Sequence, residues 1–407
     1  MIQQETIRHV IEIQKGKLQA GSESLKRELL PALPNLTSHA LIISGIRRCG
    51  KSTLLLQMLK QKHKNSLYLN FEDPRLFGFE LTDFQLLDTI ILKMNVENLF
   101  FDEIQIINGW ERYVRQKLDE GYRVVITGSN ASMLSRELGT KLTGRHISKE
   151  LFPFSYSEFL LFNMFKASAG SWQKYTEIGG FPEVVKTGNS DILAALFSDI
   201  LNRDIAVRHG IRDVLSLKRL SAYLVSNAGS LVSARKLLQP LGIQSSTTIL
   251  EYFSFLEDCY LINFMPKFSY SSKAQAINPK KIFVIDPGIL SVASQSFSPN
   301  KGHLLENLVY WHFRRQGKDL FYFQENQGEC DFVVFKNSKF ELAVQVCFEL
   351  SPENSAREKR GLNEALNFFG SDKGIILTFN QKDVYIRNGK KIEIKPVWEF
   401  VCTNTLN

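Results

Sequence analysis

Closely spaced glycines, a lysine and hydroxyl side chains stand out near the start of the chain. The sequence from Gly45 to Thr53 reads GIRRCGKST and fits the pattern G-x-x-x-x-G-K-[ST]. Glycine lets backbone N–H groups turn towards phosphate oxygens, and Lys51 is spaced to reach the β- and γ-phosphates of a nucleotide. The hydroxyl of Ser52 suits Mg²⁺. This segment predicts a phosphate-binding loop whose contacts are Gly45, Arg47, Cys49, Gly50, Lys51, Ser52 and Thr53.

Two acidic residues follow an apolar run later in the chain. The run Leu99–Phe101 leads directly into Asp102 and Glu103. A strand that ends in two acids is common and taken alone indicates only a solvated strand end, but its position after the phosphate-binding loop favours catalysis. Asp102 is then expected to hold Mg²⁺, directly or through water, and Glu103 to orient and deprotonate the water that attacks the γ-phosphate.

Two further polar residues have both a catalytic and an ordinary interpretation. Asn130 follows the next apolar run and is placed to contact the γ-phosphate or the attacking water, with a simple Ser/Asn turn as the alternative. Arg145 is a candidate arginine finger, which a neighbouring subunit would supply to stabilise charge in the transition state. A solvent-exposed arginine is the alternative for Arg145.

Short apolar runs separated by helix-compatible sequence must position these residues. They are the segments Ala40–Gly45, Ser66–Phe71, Asn98–Phe101 and Arg123–Thr127, which follow a leading helix at Gln4–Leu30. Strands that alternate with helices predict a parallel α/β sheet. In open sheets of this kind ligands lie at the carboxyl ends of the strands, where the two acids and the asparagine stand.

The rest of the chain predicts three further regions. A stretch rich in Phe, Leu and Ala after Leu151 predicts a helical subdomain. Helices at Leu217–Ser226, at Ser233–Leu238 and from Ser245 onwards, followed by strand pieces on both sides of residues 262–284, are typical of a winged helix. Beyond Asn300 a second, smaller α/β domain is predicted. Its elements are expected at Leu304–Arg315, Leu320–Gln324, Cys330–Phe335, Glu341–Cys347, Glu358–Phe369, Gly374–Thr378 and Asp383–Ile386.

Composition excludes several classes of protein. The 407 residues are 44% hydrophobic and 23% charged, which fits folded globular domains rather than a disordered or coiled-coil chain. The five cysteines form no CxxC pair, so neither a disulfide framework nor a zinc ribbon is predicted. We find no apolar stretch with the length of a signal peptide or membrane-spanning helix and expect a cytoplasmic protein without a membrane partner. The net charge of +8 suits a polyanionic partner without requiring one.

The chain resembles prokaryotic AAA-family ATPases of the AAA+ superfamily that carry a C-terminal domain of unknown function. The stretches that carry the resemblance are GIRRCGKSTLL, LYLNFEDPR, LFFDEIQ, VVITGSNASMLS, LTGRHISKELFPFSYSEFL, GGFPEV and, further on, NRDIAVRHGI. The resemblance implies an α/β P-loop NTPase (AAA+) sheet that binds ATP and Mg²⁺, a helical lid, a winged helix and a terminal domain similar to PD-(D/E)xK nucleases. The corresponding domains are expected at 1–165, 166–214, 215–298 and 299–407.

The resemblance to nucleases can be compared with the residues that such a site needs. A nuclease of that fold requires an acid on the first helix, an Asp on one strand and Glu-x-Lys on the next, because carboxylates bind Mg²⁺ and the lysine assists the nucleophile. Glu306 and Asp331 fit the two acids, but the next strand carries Gln345 and Cys347. Glu349 would supply a carboxylate on the same strand face. Because the Glu and the Lys of the motif are replaced by Gln345 and Cys347, we expect a degenerate domain that keeps the fold without cleavage, with an active nuclease as the alternative that Glu349 leaves open.

Three functional hypotheses follow from these patterns. The first is a Mg²⁺-dependent ATPase that couples ATP hydrolysis to movement of the lid and winged helix on duplex DNA. Hydroxyls at Ser245–Thr248 would face the DNA, and lysines around the wing would contact its phosphates; these are Lys267, Lys273, Lys280 and Lys281. The alternative is a nucleotide-dependent interaction or signalling switch whose terminal domains bind protein, and the third is an ATP-regulated nuclease. A homo-oligomer is compatible with each hypothesis.

Overall fold

The chain forms two units, each made of two separate segments of the sequence. Unit 1 comprises Met1–Phe152 together with Asp258–Tyr260, and unit 2 comprises Pro153–Glu257 and Leu261–Asn407. The computed structural model describes residues 2–20, 24–62, 65–130, 142, 144–294, 300–325, 328–387 and 389–403. In these ranges we find no helix with the length and apolar character needed to span a membrane.

A parallel sheet of five strands forms the centre of unit 1. Its strands are β1 (Ala40–Ser44), β2 (Ser66–Asn70), β3 (Asn98–Asp102), β4 (Arg123–Gly128) and β5 (His146–Glu150), in the spatial order β2-β3-β4-β1-β5. Every neighbouring pair is parallel, so all carboxyl ends meet at one edge. Strands β1 and β3 are buried along their whole length, which explains why they read as continuous apolar runs. The parallel α/β sheet predicted from the sequence is confirmed.

Four helices accompany this sheet in the part of unit 1 that is described. They are α1 (Gln4–Ala20), α2 (Lys51–Lys62), α3 (Phe84–Met94) and α4 (Trp110–Asp119). Aromatic rings pack among them, with Phe84 and Tyr113 stacked at 3.9 Å between ring centroids. The leading helix was predicted to reach Leu30 but ends at Ala20, and residues 24–27 form no regular element. Gly21 and Ser22, which follow in the sequence, have lower helix propensity than the residues before them.

Unit 2 begins with helices, as the sequence predicts after Leu151. These are α5 (Tyr156–Asn163), α6 (Ala169–Ile178), α7 (Pro182–Thr187) and α8 (Asp191–Asp199), and a π-helical stretch at Ile200–Val207 continues the last of them. The turn at Gly180 is fixed by Asp286, whose carboxylate accepts the Gly180 N–H at 2.7 Å. Unit 2 thus ties its first helices to a residue far along the chain.

The middle of unit 2 contains helices around a small sheet. The elements are α9 (Val214–Ser226), β6 (Leu231–Val232), α10 (Ala234–Leu241), α11 (Ser246–Asp258), β7 (Ile262–Met265), α12 (Ser272–Ile277), β8 (Lys280–Val284) and α13 (Pro287–Ala293). The strands form an antiparallel sheet in the order β6-β8-β7, so β8 is its middle strand. The three predicted helices are present. Strand β6 and helix α12 were not predicted. With two and six residues respectively, they are too short to show a periodic pattern of apolar residues.

The last part of unit 2 is a mixed sheet of six strands flanked by helices. Its elements are α14 (Lys301–Arg315), β9 (Asp319–Glu325), β10 (Gly328–Lys336), β11 (Lys339–Val346), α15 (Pro352–Phe369), β12 (Lys373–Thr378), β13 (Asp383–Arg387), β14 (Lys390–Pro396) and α16 (Val397–Thr403). The strand order is β13-β14-β12-β11-β10-β9. Helix α15 lies directly on β10, since a Cβ on Gly361 would be 1.9 Å from the carbonyl oxygen of Glu329. The predicted second α/β region is present, with β14 and α16 in addition.

Candidate functional site

The segment predicted to bind phosphate connects the carboxyl end of β1 to α2. A side chain would not fit at its first position, because a Cβ on Gly45 would lie 2.0 Å from the carbonyl oxygen of Leu151. Gly50 has a φ of +102°, in the region that favours glycine, and Lys51 begins the helix directly after it. The N–H groups of a first helical turn have no partner within their helix. A tight loop therefore leads into a helix start that is suited to an anion.

Lys51 is buried at the base of this loop. Only 5% of the residue is exposed, and its Nζ atom donates to the carbonyl oxygens of Gly45 at 3.0 Å and Ile46 at 3.2 Å. The same Nζ lies 3.6 Å from Oε1 of Glu103. Burial alone would lower the pKa of Lys51, but the charges of Glu103, Cys49 and Asp102 together outweigh it, so the pKa is raised. The side chain is therefore a fixed positive charge at the loop.

Asp102 lies at the carboxyl end of β3 and is fully buried among hydroxyl groups. The Tyr68 hydroxyl donates to Oδ2 at 2.7 Å, and the Thr127 hydroxyl donates to Oδ1. Ser52 also hydrogen-bonds to this carboxylate, which brings the two predicted Mg²⁺ ligands together. Burial, followed by the charge of Glu103, raises the pKa of Asp102. A carboxylate next to a hydroxyl is the kind of oxygen donor set that Mg²⁺ prefers.

Glu103 has a left-handed backbone, which is unusual for a residue with a long side chain. Its φ is +54° and its ψ is 35°, and such a conformation costs about 1–3 kcal/mol. The Glu103 N–H donates to the Thr127 hydroxyl at 3.1 Å, and Gln105 donates to Oε2 at 2.5 Å. Burial would raise the pKa of Glu103, but the Lys51 charge and the Gln105 hydrogen bond together bring it below its usual value. The carboxylate is therefore held ionised beside the lysine.

The remaining predicted loop residues lie around this centre. Arg47 forms an ion pair with Glu72, which follows β2. The Cys49 thiol is buried and donates to the carbonyl oxygen of Leu151 at 3.3 Å, and burial raises its pKa. Thr53 is half-buried in the first turn of α2. Cys49 thus contributes to the support of the loop.

Asn130 and Arg145 lie at opposite ends of the strands in the five-stranded sheet, Asn130 at the carboxyl end and Arg145 at the amino end. Asn130 is buried and comes two residues after β4 ends, so it lies at the same edge as the phosphate-binding loop. Arg145 precedes β5, and its carbonyl oxygen accepts the N–H of Ala40 at 3.1 Å, at the amino end of β1. Its exposed side chain is paired with Asp119. Within one chain Arg145 is therefore not brought to the loop, and its role towards a neighbouring subunit stays a prediction.

Arg27 supports the loop, although no motif indicated it. The guanidinium is buried and donates to the carbonyl oxygens of Cys49 and Phe152, both at 2.7 Å. The Arg27 N–H donates to Oε1 of Gln57 at 3.2 Å, in helix α2. One arginine therefore holds the loop, the following helix and the end of β5 together. No sequence pattern could have shown this, because its partners are backbone groups far along the chain.

Tyr260 was also missed by the motifs. Its hydroxyl donates to the Ser44 hydroxyl at 2.6 Å, and both residues are buried within unit 1. Ser44 is the last residue of β1, immediately before Gly45. Tyr260 itself has a φ of +62°, so its backbone is held in a sparsely populated region. A short segment from late in the chain thus contacts the base of the loop.

The residues compared with a nuclease site also come together, in unit 2. Glu306 on α14 and Asp331 on β10 both contact the Nζ of Lys281, each at 2.8 Å. Gln345 on β11 accepts the N–H of Asp331 at 3.3 Å and donates to Glu358 at 2.7 Å. As they stand with Lys281 in place, the residues of the described ranges include no three His, Cys, Asp or Glu side chains grouped to hold a metal ion. The predicted acids are adjacent, with a lysine between them.

This position of Lys281 corrects one sequence-based interpretation. Lys281 was expected on the wing with its side chain towards DNA phosphates, but it is 3% exposed and ion-paired with carboxylates. The reason is that the side chain of Lys281 lies on the face of β8 that packs against α14 and β10, where Glu306 and Asp331 accept it. Lys273 is exposed, and Lys267 and Lys280 are partly exposed.

Two family models match separate parts of the chain. The model described as an AAA domain matches residues 37–160, which include the loop, both acids and all five strands of unit 1. A model described as a domain of unknown function, DUF8612, matches residues 169–300. Among solved structures, the Walker-type ATPase PABY2304 of Pyrococcus abyssi aligns over 65% of this chain and 93% of its own, with a TM-score of 0.43 and 14% identity. So loose a likeness carries no argument here.

Two relatives match across most of their length. The uncharacterized protein MJ1544 of Methanocaldococcus jannaschii is 35% identical over an alignment of 393 residues, and the match covers 89% of this chain and 88% of the relative. An uncharacterized protein of Haemophilus influenzae is 33% identical over an alignment of 343 residues, and the match covers 78% of this chain and 84% of the relative. The chain therefore belongs to the same protein family as these two relatives, and it carries an AAA-type P-loop ATPase domain.

Proposed function

We propose that this chain binds ATP with Mg²⁺ and hydrolyses it to ADP and phosphate at the loop of unit 1. The observation that carries the proposal is the contact between the Lys51 ammonium and the Glu103 carboxylate at the carboxyl edge of the sheet. Beside them, Ser52 and Asp102 hydrogen-bond to each other. A cation for the phosphates, oxygen ligands for Mg²⁺ and an ionised base are the groups that phosphoryl transfer to water requires.

Each group has a distinct part in this reaction. Backbone N–H groups of the loop would bind the phosphates, and Lys51 would neutralise charge on the β- and γ-phosphate oxygens. Ser52 and Asp102 would hold Mg²⁺, which supplies further compensation of phosphate charge. Glu103 would orient a water molecule and accept its proton while the water oxygen bonds to the γ-phosphorus and the bond to the β-γ bridging oxygen breaks. Asn130 is proposed to contact the γ-phosphate or this water.

Two finer points also belong to the proposal. The resemblance to AAA-family ATPases implies that the site prefers adenine over guanine. In agreement with this, the sequence contains no N-K-x-D motif, which recognises guanine. Arg145 is proposed to act on the site of a neighbouring subunit, since it lies at the amino edge of its own sheet. This second point requires a homo-oligomer.

We further propose that nucleotide state is passed from unit 1 to unit 2 through the segment Asp258–Tyr260. The support is that Tyr260 contacts Ser44 at the base of the loop, while the next residue, Leu261, belongs to unit 2. A shift of the loop on hydrolysis would change the position of Tyr260 and hence of the chain that follows it. Such order changes at the γ-phosphate are a common form of nucleotide switch.

For the partner of unit 2 we propose two alternatives, duplex DNA and protein. The order of α9, α10 and α11 followed by β7 and β8 supports a winged-helix-like module. Ser245 and Thr247 are exposed at the start of α11, which favours contact with duplex DNA as the first candidate. The alternative is a protein-binding switch. A salt-dependent affinity for DNA separates them, because phosphate contacts release counterions and protein contacts do not respond to DNA at all.

The hydrolysis proposal is tested by ATP binding and phosphate release with the purified full chain. Lys51→Ala should weaken ATP binding by at least about tenfold, since a charge-assisted contact is lost. Glu103→Gln should keep binding and slow turnover by about 10²–10⁴-fold, since only proton transfer is lost. Lys93→Ala is the matched control, because this exposed lysine lies in the last turn of α3. Equal binding by Lys51→Ala and the wild type would contradict the proposed site.

The coupling proposal is tested by hydrogen exchange in unit 2 with ATP, with ADP and without nucleotide. Tyr260→Phe removes the hydroxyl that contacts Ser44, so nucleotide-dependent changes in unit 2 should be lost while ATP binding remains. Tyr270→Phe is the matched control, because that tyrosine is 85% exposed. If Tyr260→Phe responds to nucleotide as the wild type does, the segment does not transmit the signal.

A further inference from the structure

Four charged side chains from distant parts of the sequence meet in unit 2. The Nζ of Lys281 lies 2.8 Å from Oε1 of Glu306, from Oε1 of Glu329 and from Oδ1 of Asp331. Glu306 comes from α14, and the other two acids come from β10. Lys281 comes from β8, which is not part of the six-stranded sheet. We call these three acids the carboxylate cluster.

The backbone that carries Lys281 is held on all sides. Strand β8 pairs with β6 on one side and with β7 on the other. Asn307 of α14 accepts the N–H of Val284 at 2.7 Å and donates to its carbonyl oxygen at 2.8 Å, and the Trp311 indole donates to the same oxygen at 2.6 Å. Phe283 stacks on Tyr310 at 4.0 Å between ring centroids. The strand with the lysine is thus bound to the helix that carries Glu306.

The carboxylate cluster is built into its surroundings in the same way. Asp331 accepts the N–H of Val346 through Oδ2 at 2.9 Å, which leaves Oδ1 for the lysine. Burial would lower the pKa of Lys281, but the charges of Asp331, Glu306 and Glu329 raise it well above its usual value. The amine therefore stays protonated. Position 345, beside the cluster, offers a neutral amide rather than a further carboxylate.

Space beside the cluster would let a small ion reach it. A cavity of about 710 Å³ is lined by Lys281, Glu306, Glu329, Asp331 and His303, among others. A hydrated metal ion is far smaller than this volume. The size of the cavity therefore does not prevent a metal ion from reaching the carboxylates. The Lys281 ammonium already lies 2.8 Å from all three of them, and it is attached to the fold.

We propose that the Lys281 ammonium is the resident cation of the carboxylate cluster and keeps divalent metal ions out of it. A metal ion would have to displace a buried ammonium that its own strand holds in place, and the displaced charge would lose all three carboxylate partners. The last part of unit 2 is thereby a module without metal-dependent cleavage, and the lysine joins it to the three-stranded sheet. This inference is independent of the nucleotide site and goes beyond it.

The test measures Mn²⁺ binding by the full chain without nucleotide. The readout is the electron paramagnetic resonance signal of Mn²⁺ that remains free in solution. Every protein carries Asp102→Asn, so that the acid predicted to hold Mg²⁺ at the nucleotide site does not contribute. Lys281→Met keeps the side-chain stem without the charge and should gain one Mn²⁺ per chain, with affinity at least about 100-fold above the unchanged cluster. Lys281→Arg keeps a cation and should gain none. Lys281→Met combined with Asp331→Asn should lose the gained site.

Several outcomes would overturn the proposal. Mn²⁺ binding with Lys281 in place that disappears in Asp331→Asn would show that the lysine does not exclude metal. A folded Lys281→Met protein that takes up no Mn²⁺ would show that the cluster is not a cation site. If Lys281→Met is unfolded without metal, Mn²⁺ should restore its circular dichroism and thermal transition, but not those of the double variant. An unfolded variant that ignores Mn²⁺ likewise contradicts the proposal.

Discussion

Replacing Arg27 with alanine removes a guanidinium that supports the phosphate-binding loop. Two of its hydrogen bonds, at 2.7 Å to the carbonyl oxygens of Cys49 and Phe152, connect the loop to the chain after β5. Without them both carbonyl groups are left without this donor inside unit 1. We expect unit 1 to open more often and the loop to bind ATP more weakly, while unit 2 keeps its stability.

The magnitude follows from the two contacts. A hydrogen bond to a charged donor contributes about 1.5–3 kcal/mol, so the pair contributes about 3–6 kcal/mol. Removing a buried charge returns part of this, because the guanidinium no longer has to be kept out of water. The net loss for unit 1 should be about 3 kcal/mol. That value corresponds to a factor of about 160 in the equilibrium between closed and open states, at 1.36 kcal/mol per tenfold change.

Hydrogen exchange measured by mass spectrometry resolves the two units, which a single unfolding curve would not. Peptides from β1 and α2 in Arg27→Ala should exchange about 100-fold faster than in the wild type. Arg27→Lys keeps the charge without the forked donor and should lie in between. Arg112→Ala, an exposed arginine of α4, is the matched control. Wild-type exchange rates in Arg27→Ala would refute the reasoning.

Two further predictions concern the loop and the acid stability of unit 2. Gly45→Ala should abolish measurable ATP binding, because its Cβ would lie 2.0 Å from the Leu151 carbonyl oxygen, whereas Gly16→Ala in α1 meets nothing within 4 Å and should leave binding unchanged. Burial, then the charge of Arg315, lowers the pKa of His312 to about 3, so the neutral ring is favoured in the folded state. His312 by itself should therefore lower the free energy of unfolding of unit 2 as pH decreases below its unfolded pKa of about 6.5, by about 2 kcal/mol down to pH 5. His312→Phe should lack this loss in acid-titrated thermal unfolding, and an identical pH profile would contradict the assignment.

The central sheet and its loop could be predicted because their signals are local. Buried parallel strands are continuous apolar runs. The spacing of the glycines, the lysine and the hydroxyl residues from Gly45 to Thr53 is specific for a phosphate-binding loop between a strand and a helix. Asp102 and Ser52 were both expected at the carboxyl edge of the sheet, because each follows the carboxyl end of a predicted parallel strand. Helix α1 was predicted too long because apolar periodicity does not mark where a helix ends.

The supporting contacts could not be predicted because their partners are far apart in sequence. Arg27 binds backbone carbonyl groups, which have no sequence signature. Lys281 was interpreted as a surface residue because a lysine is most often exposed. Its burial depends on Glu306, Glu329 and Asp331, and three-dimensional proximity of these residues is set by how β8 packs on α14.

The discontinuity of unit 1 has a consequence for synthesis of the protein on the ribosome. The phosphate-binding loop is translated early, but Tyr260, which contacts Ser44 beneath it, is translated only after the whole of Pro153–Glu257. Domains usually fold in the order in which they emerge. When residues 1–152 have emerged, unit 1 would therefore still lack the buried contact between Tyr260 and Ser44. It would complete its packing only after residues 153–257 of unit 2 have been made.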